Sequence, residues 1–133
     1  MASETILVVD PDEAVGALLA DILTSAGYRV AVARSIESAR TLCDCSLDLI
    51  ITEAFGQSYI FDFDPTFLRE FGTFAPGTPI VLCSIYPSID TIHPGDYGLV
   101  GVVRKPCLLR DLLGKVNTAL SRHKGTMATV PKS

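Results

Sequence analysis

The chain lacks a long apolar run. No stretch of its 133 residues holds eighteen consecutive apolar side chains, so nothing in it reads as a membrane span. It opens on "MASETILVVD", which has no basic segment followed by an apolar one. No signal peptide is expected, and the reading is of a cytoplasmic protein. Basic residues are in deficit: 11 Lys and Arg stand against 15 Asp and Glu, for a net charge of −4. Direct nucleic-acid binding is therefore not expected, because it needs clustered cations. Cysteine is limited to Cys43, Cys45, Cys83 and Cys107. A chain of this length without a secretory signal builds its core without disulfides, so these read as free thiols. Cys43-Asp44-Cys45 has no second ligand pair to make a metal site. His93 and His123 are isolated and are assigned no role. No internal repeat and no linker divides the chain.

What is present is alternation. Hydrophobic residues make up 48 % and charged residues 20 %, enough for one well-filled core. Short apolar runs at 5–9, 28–33, 47–52, 78–84 and 99–104 read as buried strands. Between them lie segments with apolar residues at helical spacing. Val15, Leu18, Leu19, Ile22, Leu23 and Ala26 stripe a first helix, which Gly27 stops. Ser35 caps a second helix carrying Ile36, Ala39, Leu42 and Cys43. Asp64-Pro65 opens a third with Phe67, Leu68 and Phe71, ended by Gly72. Leu108, Leu109, Leu112, Leu113, Val116 and Leu120 stripe the last. Residues 1–122 read as one domain and 123–133 as a flexible tail.

Strands that alternate with helices form parallel βαβ units. Right-handed crossovers then give an open five-stranded sheet with helices on both faces, a flavodoxin-like α/β fold. Working sites in such sheets lie at the carboxyl ends of the strands. Here the first strand ends in Asp10-Pro11-Asp12-Glu13, the third in Glu53, the fourth in Ser84 and the fifth in Lys105-Pro106. Acids, a hydroxyl and a lysine are thus expected on one rim. Each has a plainer reading. A lone Glu at a strand end is usually a solvated terminus, Ser84 suits a turn, and Asp12-Glu13 suits the start of a helix. Asp64 reads as a cap, and Tyr59, Phe61 and Phe63 as partial core or an exposed partner site.

From about Thr5 to Leu120 the sequence resembles the CheY-like receiver domain of two-component response regulators. The resemblance assigns Asp10 to the acidic pocket, with Asp12 beside it, Glu53 to the phosphoacceptor position, Ser84 to the switch hydroxyl, and Lys105 with Pro106 to the lysine–proline pair, joined by a cis bond. It implies an aspartate that takes a phosphoryl group from a histidine kinase, with Mg²⁺ held by the acids. It also implies a strand-five aromatic that moves with the hydroxyl. The chain departs from that pattern in four places. The acceptor is Glu53, one methylene too long, and positioning is most of phosphoryl-transfer catalysis. The second acid is Pro11, the switch aromatic is Val102, and the residues after the acceptor are "AFGQSYIFDFDP". Mg²⁺ binding through Asp10, Asp12 and Glu53 is therefore expected to be weak or absent. Pro94 and Gly95 shorten the fourth helix to about two turns at most.

The resulting expectation is a non-enzymatic, phosphorylation-independent interaction module in phosphorelay signalling, without a cofactor. Its partner is a sensor kinase or effector, and the chain is a monomer or weak homodimer. The alternative is a working receiver with rearranged acids. A flavodoxin-like cofactor binder is disfavoured, since "DPDEAVG" would repel a phosphate.

Overall fold

The structure, a computed structural model, describes residues 4–42 and 46–129, with side chains through Ser121. The Cys43-Asp44-Cys45 pair and the His123 side chain lie outside the described residues. Five strands, β1 (Thr5–Val9), β2 (Arg29–Ala33), β3 (Leu49–Thr52), β4 (Ile80–Ser84) and β5 (Leu99–Arg104), form one sheet in the order β2-β1-β3-β4-β5. All neighbours are parallel, with Ile6 opposite both Val30 and Leu49. Each apolar run of the sequence became a strand. The runs are apolar on both sides of the pleat because both faces are covered.

Helices α1 (Glu13–Ser25) and α4 (Leu109–Thr129) cover one face, and α2 (Ile36–Leu42) and α3 (Leu68–Phe74) the other. On the first face Ile6, Val8, Ile51, Val81 and Val103 pack against Leu19, Leu23, Leu112, Val116 and Leu120. On the second, Leu7, Val9, Ile50 and Leu82 meet Ile36, Ala39, Phe67 and Phe71. Alternate residues of one strand thus feed two cores, as the period of two requires. The Asp48 carboxylate accepts the Thr5 amide at 2.8 Å, which fixes the entry of β1 against β3.

Several boundaries differ from the sequence reading. Gly27 does end α1, in the left-handed region at φ 101°, where glycine carries no Cβ penalty. Gly72, expected to end α3, lies inside it. The helix continues to Phe74, whose ring packs on Phe71 with centroids 5.6 Å apart. That contact outweighs the modest helix penalty of one glycine. Asp64 turns the chain by accepting the Thr66 amide at 2.9 Å, four residues ahead of the first residue of the helix. The crossover from β4 to β5 holds no α-helix. It is two 3₁₀ turns, Pro87–Thr91 and Pro94–Tyr97, the second closed by Gly98 at φ 73°. Pro94 lacks the amide that would carry the first turn onward, so the segment restarts. At the other end, the tail expected from 123 is helical as far as Thr129. The apolar stripe stops near Leu120, but no proline interrupts the backbone ladder before Pro131. Leu18, Leu108 and Leu109, counted as core from their spacing, are exposed. Among the described residues, no helix is long and apolar enough to cross a membrane.

Candidate functional site

The carboxyl ends of β1, β3 and β5 face one rim, where the sheet order places β1 beside β3 and β5 beyond β4. Backbone bonds carry each strand to the rim in register. Asp10 N–H donates to Ala33 O at 3.0 Å, Glu53 N–H to Val9 O at 2.8 Å, and Lys105 N–H to Ser84 O at 2.9 Å. The side chains that emerge there are Asp10, Glu53 and Lys105. They line a cleft of about 200 Å³ with Pro11, Asp12, Phe55 and Tyr86. The Lys105-Pro106 peptide bond is cis.

The three charges form one buried cluster. Lys105 Nζ donates to Asp10 Oδ2 at 2.6 Å and contacts Glu53 Oε2 at 2.9 Å, with all three side chains at least nine-tenths buried. The remaining oxygens are also occupied. Asp10 Oδ1 accepts the Asp12 amide at 2.9 Å. Glu53 Oε1 accepts the Ala54 amide at 2.6 Å, and Glu53 Oε2 takes a further bond from the Ile85 amide at 3.2 Å. Every carboxylate oxygen of the pair therefore has a donor, as buried charge requires. Burial pulls the Lys105 ammonium down, but its bonds to Asp10 and Glu53 and their charges outweigh this, so its pKa lies above the usual lysine value. The cluster carries a net charge of −1.

The other sequence candidates sit elsewhere. Asp12 lies at the mouth of the cleft, but its Oδ1 caps α1, accepting Ala14 N–H at 3.0 Å and Val15 N–H at 3.2 Å. That is the plainer of its two readings. Ser84 is fully buried, and its Oγ accepts the Tyr86 amide at 3.1 Å, a turn bond. Val102 is half-buried at the edge of the second core. Cys83, just before Ser84, is buried, and burial pushes its thiol up to about 12. The residues that the sequence reading missed are Ile85 and Tyr86. The Ile85 amide reaches Glu53, and the Tyr86 ring packs against Tyr59 at a tilt of 41° with centroids 4.7 Å apart. Tyr59 is 66 % exposed and bridges to the rim from the loop after β3. The unusual "QSYIFDF" run was the available signal.

Mg²⁺, which the receiver resemblance implies, needs near-octahedral oxygen ligation and usually one or two carboxylates. Here the oxygens of Asp10 and Glu53 already accept protein donors, and an ammonium sits between them. Among the described residues, no group of three or more His, Cys, Asp or Glu side chains is arranged to hold a metal ion. The residues present do not fit the ion.

No protein-family model and no curated protein matches the sequence. Solved structures match its fold. A CheY-like response regulator receiver domain protein from Methanospirillum hungatei JF-1 superposes with a TM-score of 0.78 at 22 % identity, over 94 % of this chain and 99 % of that one. A response regulator from Thermotoga maritima gives 0.75 at 24 %, over 90 % and 99 %. NtrX from Brucella abortus gives 0.82 at 24 %, over 99 % of this chain and 30 % of that one. The chain therefore has the fold of a response-regulator receiver domain.

Proposed function

We propose that the chain is a cytoplasmic receiver-type module whose acceptor pocket is permanently closed by an internal ion cluster. It works by binding a signalling partner, a sensor kinase or an effector, and not by taking a phosphoryl group. It uses no metal or cofactor and carries no catalytic activity of its own. In solution it is a monomer or a weak homodimer. The observation that carries this reading is that both oxygens of the buried Glu53 carboxylate already hold donors. Its two oxygens accept Ala54 N–H, Ile85 N–H and the Lys105 ammonium. A nucleophilic carboxylate needs a free, in-line oxygen. Releasing one here means stripping a buried anion of its donors, which costs several kcal/mol. The neutralising role that Mg²⁺ would fill is taken by Lys105.

The test is intact mass after incubation with acetyl phosphate and Mg²⁺, for the wild type beside Glu53→Asp. No phosphoryl adduct on the wild type is expected. An adduct on Glu53→Asp alone means that the pocket retains its chemistry and that Glu53 locks it. An adduct on the wild type refutes the reading and favours a working receiver with rearranged acids, for which the convergence of Asp10, Glu53 and Lys105 is the supporting observation.

A further inference from the structure

The loop from Gly56 to Asp64 turns three consecutive large apolar side chains into solvent. Tyr59 is 66 %, Ile60 85 % and Phe61 72 % exposed. Three such residues side by side are not the scattered apolar exposure found on any surface. Nor is the loop slack. The Gln57 side chain clamps its two ends: Nε2 donates to Phe55 O at 2.9 Å and Asp64 O at 2.6 Å, and Oε1 accepts Asp64 N–H at 3.0 Å. At the base, the Phe63 ring meets Phe67 and Tyr97 edge-on, with centroids 6.1 Å and 5.1 Å apart. The Tyr59 ring rests on Tyr86. The loop is therefore held in shape while its tip stays uncovered. That combination lowers the ordering cost of binding and is wasted on a tip that binds nothing.

We infer that Tyr59, Ile60 and Phe61 form a finger that inserts into an apolar pocket ringed by basic side chains on a partner protein. The charge around the tip selects this occupant. Residues 56–68 include Asp62 and Asp64 and no Lys or Arg, and the first cation in sequence is Arg69, behind Asp64. The Asp64 carboxyl is held below the usual carboxylate range by its bonds to Thr66 and by the nearby Arg69 charge, so it stays ionised. Anionic lipid headgroups would be repelled by these acids, and a second copy would set the same acids against each other. A basic rim complements them and steers the encounter. The finger supplies the contact of the interaction module proposed above and rests on that reading. It is also wired to the ion cluster, because Tyr86 follows Ile85, whose amide holds Glu53.

The test places p-benzoylphenylalanine at Ile60, and separately at Leu109 as an exposed control, in the native cell. A protein adduct formed at position 60 is identified, purified and titrated against wild type, Ile60→Asp and Asp62→Lys. The expected result is a loss of about 30-fold or more in affinity for Ile60→Asp, as for an interface hot spot. A smaller loss with a flatter salt dependence is expected for Asp62→Lys. An unchanged urea midpoint shows that both variants fold. Equal affinity of Ile60→Asp and wild type overturns the finger, as does an adduct formed only at position 109. A second copy as the sole adduct, with dimer seen in sedimentation, overturns the choice of occupant. So does co-flotation of wild type, but not of Ile60→Asp, with phosphatidylcholine–phosphatidylglycerol vesicles. No adduct at either position overturns the interaction-module reading itself.

Discussion

Replacing Lys105 with methionine keeps the length of the side chain and removes the charge. In the wild type each contact, at 2.6 Å and 2.9 Å, is worth roughly 6 kcal/mol before desolvation at an effective dielectric of about 20. The cost of burying three charges consumes most of that gain. The variant forfeits the attraction and leaves both carboxylates buried, so the cluster goes from −1 to −2. Removing one partner of such a cluster costs about 3–5 kcal/mol, a large part of a stability of about 5–15 kcal/mol. With a urea slope of about 2 kcal/mol/M, the midpoint should fall by roughly 2 M. The double variant Lys105→Met/Glu53→Gln returns the cluster to −1, and its new amide can still accept the Ala54 N–H. It should recover more than half of the loss, a coupling of roughly 2 kcal/mol. Urea unfolding of the four proteins of this cycle, followed by far-UV circular dichroism at pH 7, measures all three differences. A loss under about 1 kcal/mol for Lys105→Met, or a double variant no better than the single, refutes the idea that the ammonium closes the pocket.

Three further outcomes follow from the same contacts. Because the folded Lys105 pKa lies above 10.5, its value in the unfolded chain, its contribution is complete below pH 10.5 and disappears as pH rises through the folded value. The stability gap between wild type and Lys105→Met should therefore be flat from pH 7 to 10 and narrow above that, as read by urea titration. Asp12→Ala should cost about 1 kcal/mol, and Asp12→Asn should recover nearly all of it, since both carboxylate and amide cap a helix. Equal losses in the two would mean that the charge of Asp12 matters to the pocket. Cys83, 1 % exposed and with a thiol near 12, should be alkylated by iodoacetamide at pH 8 no faster than the protein unfolds. Peptide mapping over time checks this, and prompt labelling of Cys83 would show that the β4 end opens locally.

The sheet was legible because its strands are continuous apolar runs, and a run such as "TILVV" has few alternatives to a strand buried on both faces. The rim was legible for the same reason. Once the strands were placed, the residues that end them had to share an edge, and Asp10, Glu53 and Lys105 do converge there. What escaped was set by side chains that meet across the fold. Periodicity counted Leu18 and Leu109 as core, but their stripe is wider than the surface available to cover it. Gly72 read as a stop, yet the Phe71–Phe74 contact carries the helix past it. Ser84 and Asp12 were each open to a local and a long-range use. Both hydrogen-bond to the backbone within three residues, a competition that short polar side chains usually resolve locally. Nothing in the sequence indicated that Gln57 would bridge seven residues to Asp64.

The bond from Lys105 to Asp10 spans 95 positions of the chain, and this has a consequence in time. If β1 and β3 pair first in the centre of the sheet, Asp10 and Glu53 come to one edge with nothing between them. The ammonium then arrives only with β5, an edge strand and the last strand in the sequence. On that order the cluster would form late, after the main barrier, which the folding and unfolding rates of a Lys105 variant test. Loss of Lys105 should leave the folding rate almost untouched and appear as faster unfolding. The cluster would thus govern how long a folded molecule lasts and not how soon it forms.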